Sequence, residues 1–269
     1  MTPIHLPELR DDFEPTRASL HAYARAIAVV PRAHGVAHPK LWHVSLKPRP
    51  EGLVTDPVPL PDGGSVAFAL DAVRHEAVMR CSDGWERRWD LRSGMTGSEL
   101  GDAVTGVAAE RGLEGGYERE RYQDNAPRRY DADAAAAYFG AFTAVHGILE
   151  RHRAGLGDRV GPIQVWPHGF DMALEWFGTH HYEKGGERRP AQLSLGFDPG
   201  SSRYFYSNPW PFEESLVDAP LPDGAVWHTE GWQGSMLPYD TVRAGDPAAI
   251  VAQYARAVFE LAAPALGRR

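Results

Sequence analysis

The chain of 269 residues is poor in several features that would narrow its function quickly. It has one cysteine, Cys81, so no internal disulfide can form. Asn125 precedes Ala-Pro and Asn208 precedes Pro-Trp, so no Asn-x-Ser/Thr acceptor exists. No apolar run reaches the length of ~18 residues that marks a membrane-spanning helix. Where a secretory leader would be apolar, the first 15 residues carry Glu8, Asp11, Asp12 and Glu14. A cytoplasmic protein with no membrane partner is expected. Lysine is scarce: of 28 basic side chains only Lys40, Lys47 and Lys184 are lysine. Against 36 acidic groups the net charge is −8, which disfavours a nucleic-acid partner gripped through its phosphates.

Familiar catalytic signatures are also missing. A phosphate loop needs close glycines between a strand and a helix, so that backbone N–H groups approach the anion. Gly155-Leu-Gly157-Asp-Arg-Val-Gly161 has the wrong spacing and follows a helical pattern. No serine lies in a Gly-x-Ser-x-Gly frame. His75-Glu76 begins like a zinc-protease helix, but Met79 stands where the second histidine is needed. His34 and His38 are four apart, yet Pro31, Gly35 and Pro39 disfavour a helix that would join them around a metal. Adjacent His180 and His181 point apart in a strand, and Cys81 reads as a small packed side chain. No metal or cofactor is assigned.

What is present is an ordinary globular composition, 43% hydrophobic and 24% charged, with alternating helical and strand patterns. Leu20, Tyr23, Ala24 and Ile27 predict a first helix over 16–30, stopped by Pro31. Trp42, Val44 and Leu46 alternate with His43, Ser45 and Lys47, which predicts a strand with His43 and Ser45 on one side. Strands are expected at 52–58, 65–71, 76–81 and 85–91, with Asp83-Gly84 as a two-residue turn. Thr96 and Glu99 form a capping-box signal for a helix ending at Gly112. A charged connector over 114–130 leads to a long helix capped by Asp131. Further strands are expected at 163–166, 170–177, 192–197, 203–207 and 225–229, before a last helix opened by Asp246-Pro247.

Because turns and not crossover helices link the strands, an α+β fold is expected: largely antiparallel sheet with about four packed helices. Residues 1–269 are read as a single domain, with two pseudo-equivalent halves, 10–113 and 131–265, as an alternative description.

Polar residues recur on one side of aromatic strands. Asp171 and Glu175 oppose Phe170, Met172, Leu174 and Trp176; Gln192 and Ser194 oppose Leu193, Leu195 and Phe197. Such a pattern describes either a sheet wetted on one side or a cleft over the polar side. In the cleft reading His43 is the proton carrier, since imidazole titrates near neutrality, and Asp171 its orienting partner. Trp42, Trp166, Tyr204, Tyr206 and Trp210 supply flat ligand walls, and Arg17 with His21 an anion grip.

Several ordered motifs carry a family resemblance. They are Leu6-Pro-Glu-Leu-Arg10, Trp42-His-Val-Ser-Leu46, Gly169-Phe-Asp-Met-Ala173, Ser194-Leu-Gly-Phe-Asp-Pro-Gly200, Tyr204-Phe-Tyr206 with Pro209-Trp-Pro211, and Leu237-Pro-Tyr-Asp-Thr-Val-Arg243. Together they resemble a bacterial family known as domain of unknown function 5996. The resemblance implies one architecture across the whole chain and no reaction, cofactor or catalytic residue. The chain departs from the family pattern at Val165-Trp-Pro-His-Gly-Phe-Asp171, where Trp-Gly-Ser-Phe-Asp is expected, and at Asp198, where tryptophan is expected.

The function expected is that of a small-molecule enzyme or binding protein using His43 and Asp171 for acid/base chemistry. The alternative is a non-catalytic interaction protein, which would use the aromatic, proline-rich stretch 208–212 or the charged connector.

Overall fold

The structure is a computed structural model, and it describes residues 4–267. Helices and antiparallel strands alternate without parallel crossovers, so the fold is α+β as the pattern indicated. Four long helices and one short one accompany twelve strands among the described residues. The chain groups into two compact units. The N-terminal unit takes Glu8–Thr143 and Gln164–Phe170; the C-terminal unit takes the segment up to Pro7, Ala144–Ile163 and everything from Asp171.

In the N-terminal unit, helix α1 (Glu14–His34) precedes strands β1 (Leu46–Arg49), β2 (Gly52–Thr55), β3 (Val58–Pro59), β4 (Ser65–Asp71), β5 (Glu76–Cys81) and β6 (Glu86–Asp90). Helix α2 (Gly97–Glu110), the start of α3 (Ala132–Ala154) and β7 (Gln164–Trp166) complete it. The strands lie in the order β7-β1-β2-β4-β5-β6, all antiparallel, with β3 also on β4. Leu20, Tyr23, Ala24 and Ile27 are buried, as their helical spacing requires. Thr96 and Glu99 close the predicted capping box: Glu99 N–H donates to Thr96 Oγ1 at 3.1 Å and Thr96 N–H to Glu99 Oε2 at 2.7 Å. A Cβ at Gly97 would lie 3.3 Å from that of Ala22, so glycine there lets α2 approach α1 closely.

Three local expectations are corrected here. The first helix does not stop at Pro31 but continues to His34, with Gly35 N–H donating to Pro31 O at 2.8 Å. Proline removes its own N–H but keeps a helical φ, and the Pro31 ring is itself buried, so burial outweighs the lost bond. The alternating stretch at 42–46 is not one strand. Leu41 takes φ 58°, Trp42–Val44 form a 3-10 turn, and β1 begins only at Leu46. Ser45 causes the difference: its N–H and Oγ both donate to Trp42 O, at 3.3 and 2.8 Å, which closes a turn before a strand ladder can form. His43 and Ser45 therefore do not share a strand face. Finally, the β5–β6 loop is closed by Cys81 N–H donating to Trp85 O at 2.9 Å, with three residues between, and Gly84 at φ 90°. The turn is thus one residue longer than predicted.

In the C-terminal unit, β8 (Asp171–Lys184), β9 (Glu187–Asp198), β10 (Tyr204–Trp210), β11 (Val226–His228) and β12 (Gly234–Pro238) pair antiparallel in the order β11-β12-β10-β9-β8. Short α4 (Tyr239–Arg243) leads to α5 (Pro247–Leu266), whose first turn is capped by Asp246 Oδ1 accepting from Ala248 and Ala249 N–H. One sheet face packs with α5: Trp176, Ala191 and Leu193 cluster with Phe259, Ala262 and Leu266, and the Trp176 and Phe259 rings meet edge to face at 5.0 Å. Gly178 is needed there, since a Cβ would lie 2.1 Å from Leu266 O. Ser207, Ser235 and Tyr254 share a buried hydroxyl network at 2.7 Å spacings. The opposite face of the same strands stays half-buried and carries the polar residues.

Candidate functional site

On that half-buried face, register and a missing side chain bring three of the predicted site residues together. Tyr206 on β10 pairs across Gly196 of β9, which in turn pairs with Ala173 of β8. Glycine at 196 leaves room for a ring: a Cβ there would lie 2.5 Å from Tyr206 Cζ. Tyr206 thus lies over the middle strand, and its hydroxyl donates to Asp171 Oδ2 on β8 at 2.5 Å. Burial first, and then the Asp171 charge, push the Tyr206 phenol well above its ordinary range. At neutral pH it is a fixed hydrogen-bond donor and the carboxylate is the acceptor.

Two positions along the strand on the same face, Tyr204 donates to Asp198 Oδ2 at 3.2 Å, and Asp198 Oδ1 accepts from Gly200 N–H at 2.7 Å. Burial raises the Tyr204 phenol to about 12, with Asp198 adding to the effect. Trp232, in the turn between β11 and β12, stacks on Tyr204 at 6.3 Å and meets Tyr206 edge-on at 6.1 Å. His228 packs against Trp232 at 4.7 Å, its ring tilted by 43°. The result is a set of rings beside two carboxylates, suited to holding a flat or hydrogen-bond-donating molecule. Trp210, at the end of β10, is half-buried and packs edge-on against Tyr182 at 5.9 Å, apart from this group.

The remaining predicted residues fall in the N-terminal unit. His43, Trp42 and His38 line a hollow of about 210 Å³ with Asp56. His43 Nδ1 accepts from the His38 N–H at 3.2 Å, which leaves its one proton on Nε2. Burial, then Arg32, lowers the His43 pKa and favours that neutral ring. Trp42 stacks on His38 at 4.2 Å, and its Nε1 is buried with no partner among the described residues. Ser45 and Lys47 belong to a buried network: Ser45 Oγ also contacts the Gln164 side-chain amide, and Lys47 Nζ donates to Trp42 O at 2.8 Å and pairs with Asp56 at 2.6 Å. Trp166 is half-buried beside the His168 ring at 6.1 Å. Arg17 is held by both oxygens of Glu14, at 2.7 to 3.0 Å, and His21 one turn on contacts His168 O at 3.1 Å. His43 and Asp171 lie in different units, and the hydrogen bonds described for each are to neighbours in its own.

Trp232, His228 and the part played by Gly196 escaped the sequence reading. The stretch 229–233 has no period, so its tryptophan could be placed only once β12 was seen to pair with β10. Among the described residues no three His, Cys, Asp or Glu side chains are grouped to hold a metal, and no helix is long and apolar enough to cross a membrane. Cys81 is buried, and burial pushes its thiol up, which suits a packed side chain. No curated protein and no solved structure matches the chain. The motifs quoted from the sequence do find their family: over residues 6–267 the chain matches, and belongs to, the family described as "Family of unknown function (DUF5996)".

Proposed function

We propose that this protein binds a small, donor-rich molecule, a polyol or an amine, on the half-buried face of the C-terminal sheet. The ligand lies against Tyr204, Tyr206 and Trp232 and donates to Asp171 and Asp198. One observation carries the reading: Gly196 clears a place for the Tyr206 ring, which then orients the Asp171 carboxylate at 2.5 Å. A merely wetted sheet face needs neither the glycine nor the bridging phenol.

Trp232 makes binding visible in its fluorescence. Titration with a panel of polyols and primary amines is expected to shift that emission and raise the melting temperature. Asp171→Asn and Tyr206→Phe are each expected to weaken binding about tenfold, the worth of a charged hydrogen bond. A panel that leaves wild-type emission and melting unchanged, or an Asp171→Asn variant that binds as tightly as wild type, overturns the reading.

Proton transfer at the hollow lined by His38, Trp42 and His43 is a second reading, with His43 as the proton carrier. It is supported by His43 Nδ1 accepting from the His38 N–H, which leaves Nε2–H with no partner among the described residues, and by burial, which favours the uncharged ring. His43→Ala with unchanged turnover removes it. An interaction role for the stretch 208–212 has less support, because Trp210 is already half-covered by Tyr182.

A further inference from the structure

A different pocket lies in the N-terminal unit, on the side of α1 where residues 25, 28, 29 and 32 share one face. Arg25 and Arg32 from that face, Glu120 and Arg121 from the 3-10 turn Arg119–Arg121, and His168 from the turn after β7 line a cavity of about 360 Å³. Val29 and Pro167 give it an apolar wall.

Its guanidiniums are short of counter-charge. Arg32 is half-buried and has no ion pair or hydrogen bond among the described residues. Arg25 reaches Asp124 at 3.5 Å, but Arg128 grips the same carboxylate more closely, and Arg25 Nε is buried with no partner among the described residues. Arg121 pairs with Glu118 outside the cavity wall, which leaves exposed Glu120 as the wall's one carboxylate. Burial lowers the Arg32 pKa, and Arg121 adds like-charge repulsion. Many arginines elsewhere pair with a carboxylate two to four residues away, as Arg10, Arg92 and Arg189 do. In a chain of net charge −8, leaving Arg32 without an ion pair among the described residues is a local departure. Next to the cavity, His21 Nε2 lies 3.1 Å from His168 O and its ring stacks on Phe170 at 5.8 Å.

We infer that this cavity binds a small organic anion, with its carboxylate or phosphate held by Arg32 and Arg121 and its apolar part on Val29 and Pro167. Planar guanidiniums present paired donors that match either oxyanion. The inference does not depend on the ligand proposed for the C-terminal sheet.

The test is calorimetric titration of the full chain at fixed ionic strength with inorganic phosphate, phenyl phosphate, malonate, and malonamide as the uncharged analogue. Wild type is expected to bind at least one anion, phenyl phosphate more tightly than inorganic phosphate, and malonamide not at all. Phosphate binding without malonate binding assigns the phosphate class, and the reverse assigns the carboxylate class. Arg32→Gln and Arg121→Gln are each expected to weaken binding tenfold or more, with Arg32→Lys intermediate. Arg189→Gln, an exposed arginine in the other unit, is expected to bind as wild type. Without anion, Arg32→Gln is expected to melt at or above the wild-type temperature, because a like-charge repulsion is gone; if it fails to fold, Arg32→Lys carries the comparison. No binding by any of the three anions, or unchanged affinity in the Arg32 and Arg121 variants, overturns the inference.

Discussion

Gly196 has neighbours on both sides: a Cβ would lie 2.5 Å from Met172 O as well as 2.5 Å from the Tyr206 ring. Gly196→Ala must therefore move a strand or the ring. Overpacking of this kind costs about 1–3 kcal/mol, to be read from a lowered urea midpoint, and displacement of Tyr206 from Asp171 is expected to weaken ligand binding in parallel. Three histidines make a second residue-scale expectation. Burial is the leading cause that lowers the pKa of His21, His43 and His152 from 6.5, with Arg25, Arg32 and Arg256 respectively adding to it. The unfolded chain then takes up protons that the folded chain resists, so stability falls as pH drops through 6.5 and levels off below the native values. The melting temperature is expected to be lower at pH ~5.5 than at pH ~7.5, and His21→Gln or His152→Gln should shrink that difference. Carboxylates held down by arginine partners, such as Glu86 and Asp102, act in a separate window: they stabilise above their ordinary values of 4.5 and 3.8 and lose that contribution at lower pH. Chemical candidates such as Asp171, Tyr204 and Tyr206 were legible in the sequence because strand alternation places polar side chains without reference to distant contacts. Trp232 was not, since nothing local places it beside Tyr204.

Elements were legible where the signal is local. Thr96 and Glu99 announced α2 through a reciprocal pair of bonds spanning three residues, and the structure contains both bonds. Thr96→Ala is expected to lower stability by about 1 kcal/mol, read from chemical denaturation, and Asp246→Ala to do the same at α5, where one carboxylate oxygen caps two N–H groups. Elements were misread where a local pattern competes with burial or with charge. The β8–β9 hairpin runs on to Gly185-Gly186, at φ 61° and 79°, beyond the strand bounds 170–177 and 192–197 expected from the sequence. Its tip pairs Glu183 with Arg188 across the strands, so the charged residues sit on exposed strand positions. Pro31 was read as a stop, but the helix continues through it to His34 with the Pro31 ring buried.

At the scale of the whole molecule, an excess of eight negative charges and an isoelectric point near 5.8 set solution behaviour. Solubility is expected to pass through a minimum near pH 5.8, measurable by turbidity across a pH series, and to recover on either side. Turn-linked alternating strands and four long amphipathic patterns were enough to read an α+β class from the sequence, because which faces must be buried is written in residue period. Membership of a family matched over residues 6–267 was also legible, from many short motifs in order. Which polar groups meet is a different matter. The turn at 42–44 depends on one serine hydroxyl, Tyr206 reaches Asp171 only over a strand that lacks a side chain, and the arginine cavity draws on residues near 25, 121 and 168. Local periodicity carries no information about such pairings. They follow from strand order and helix packing, and tertiary structure alone decided them.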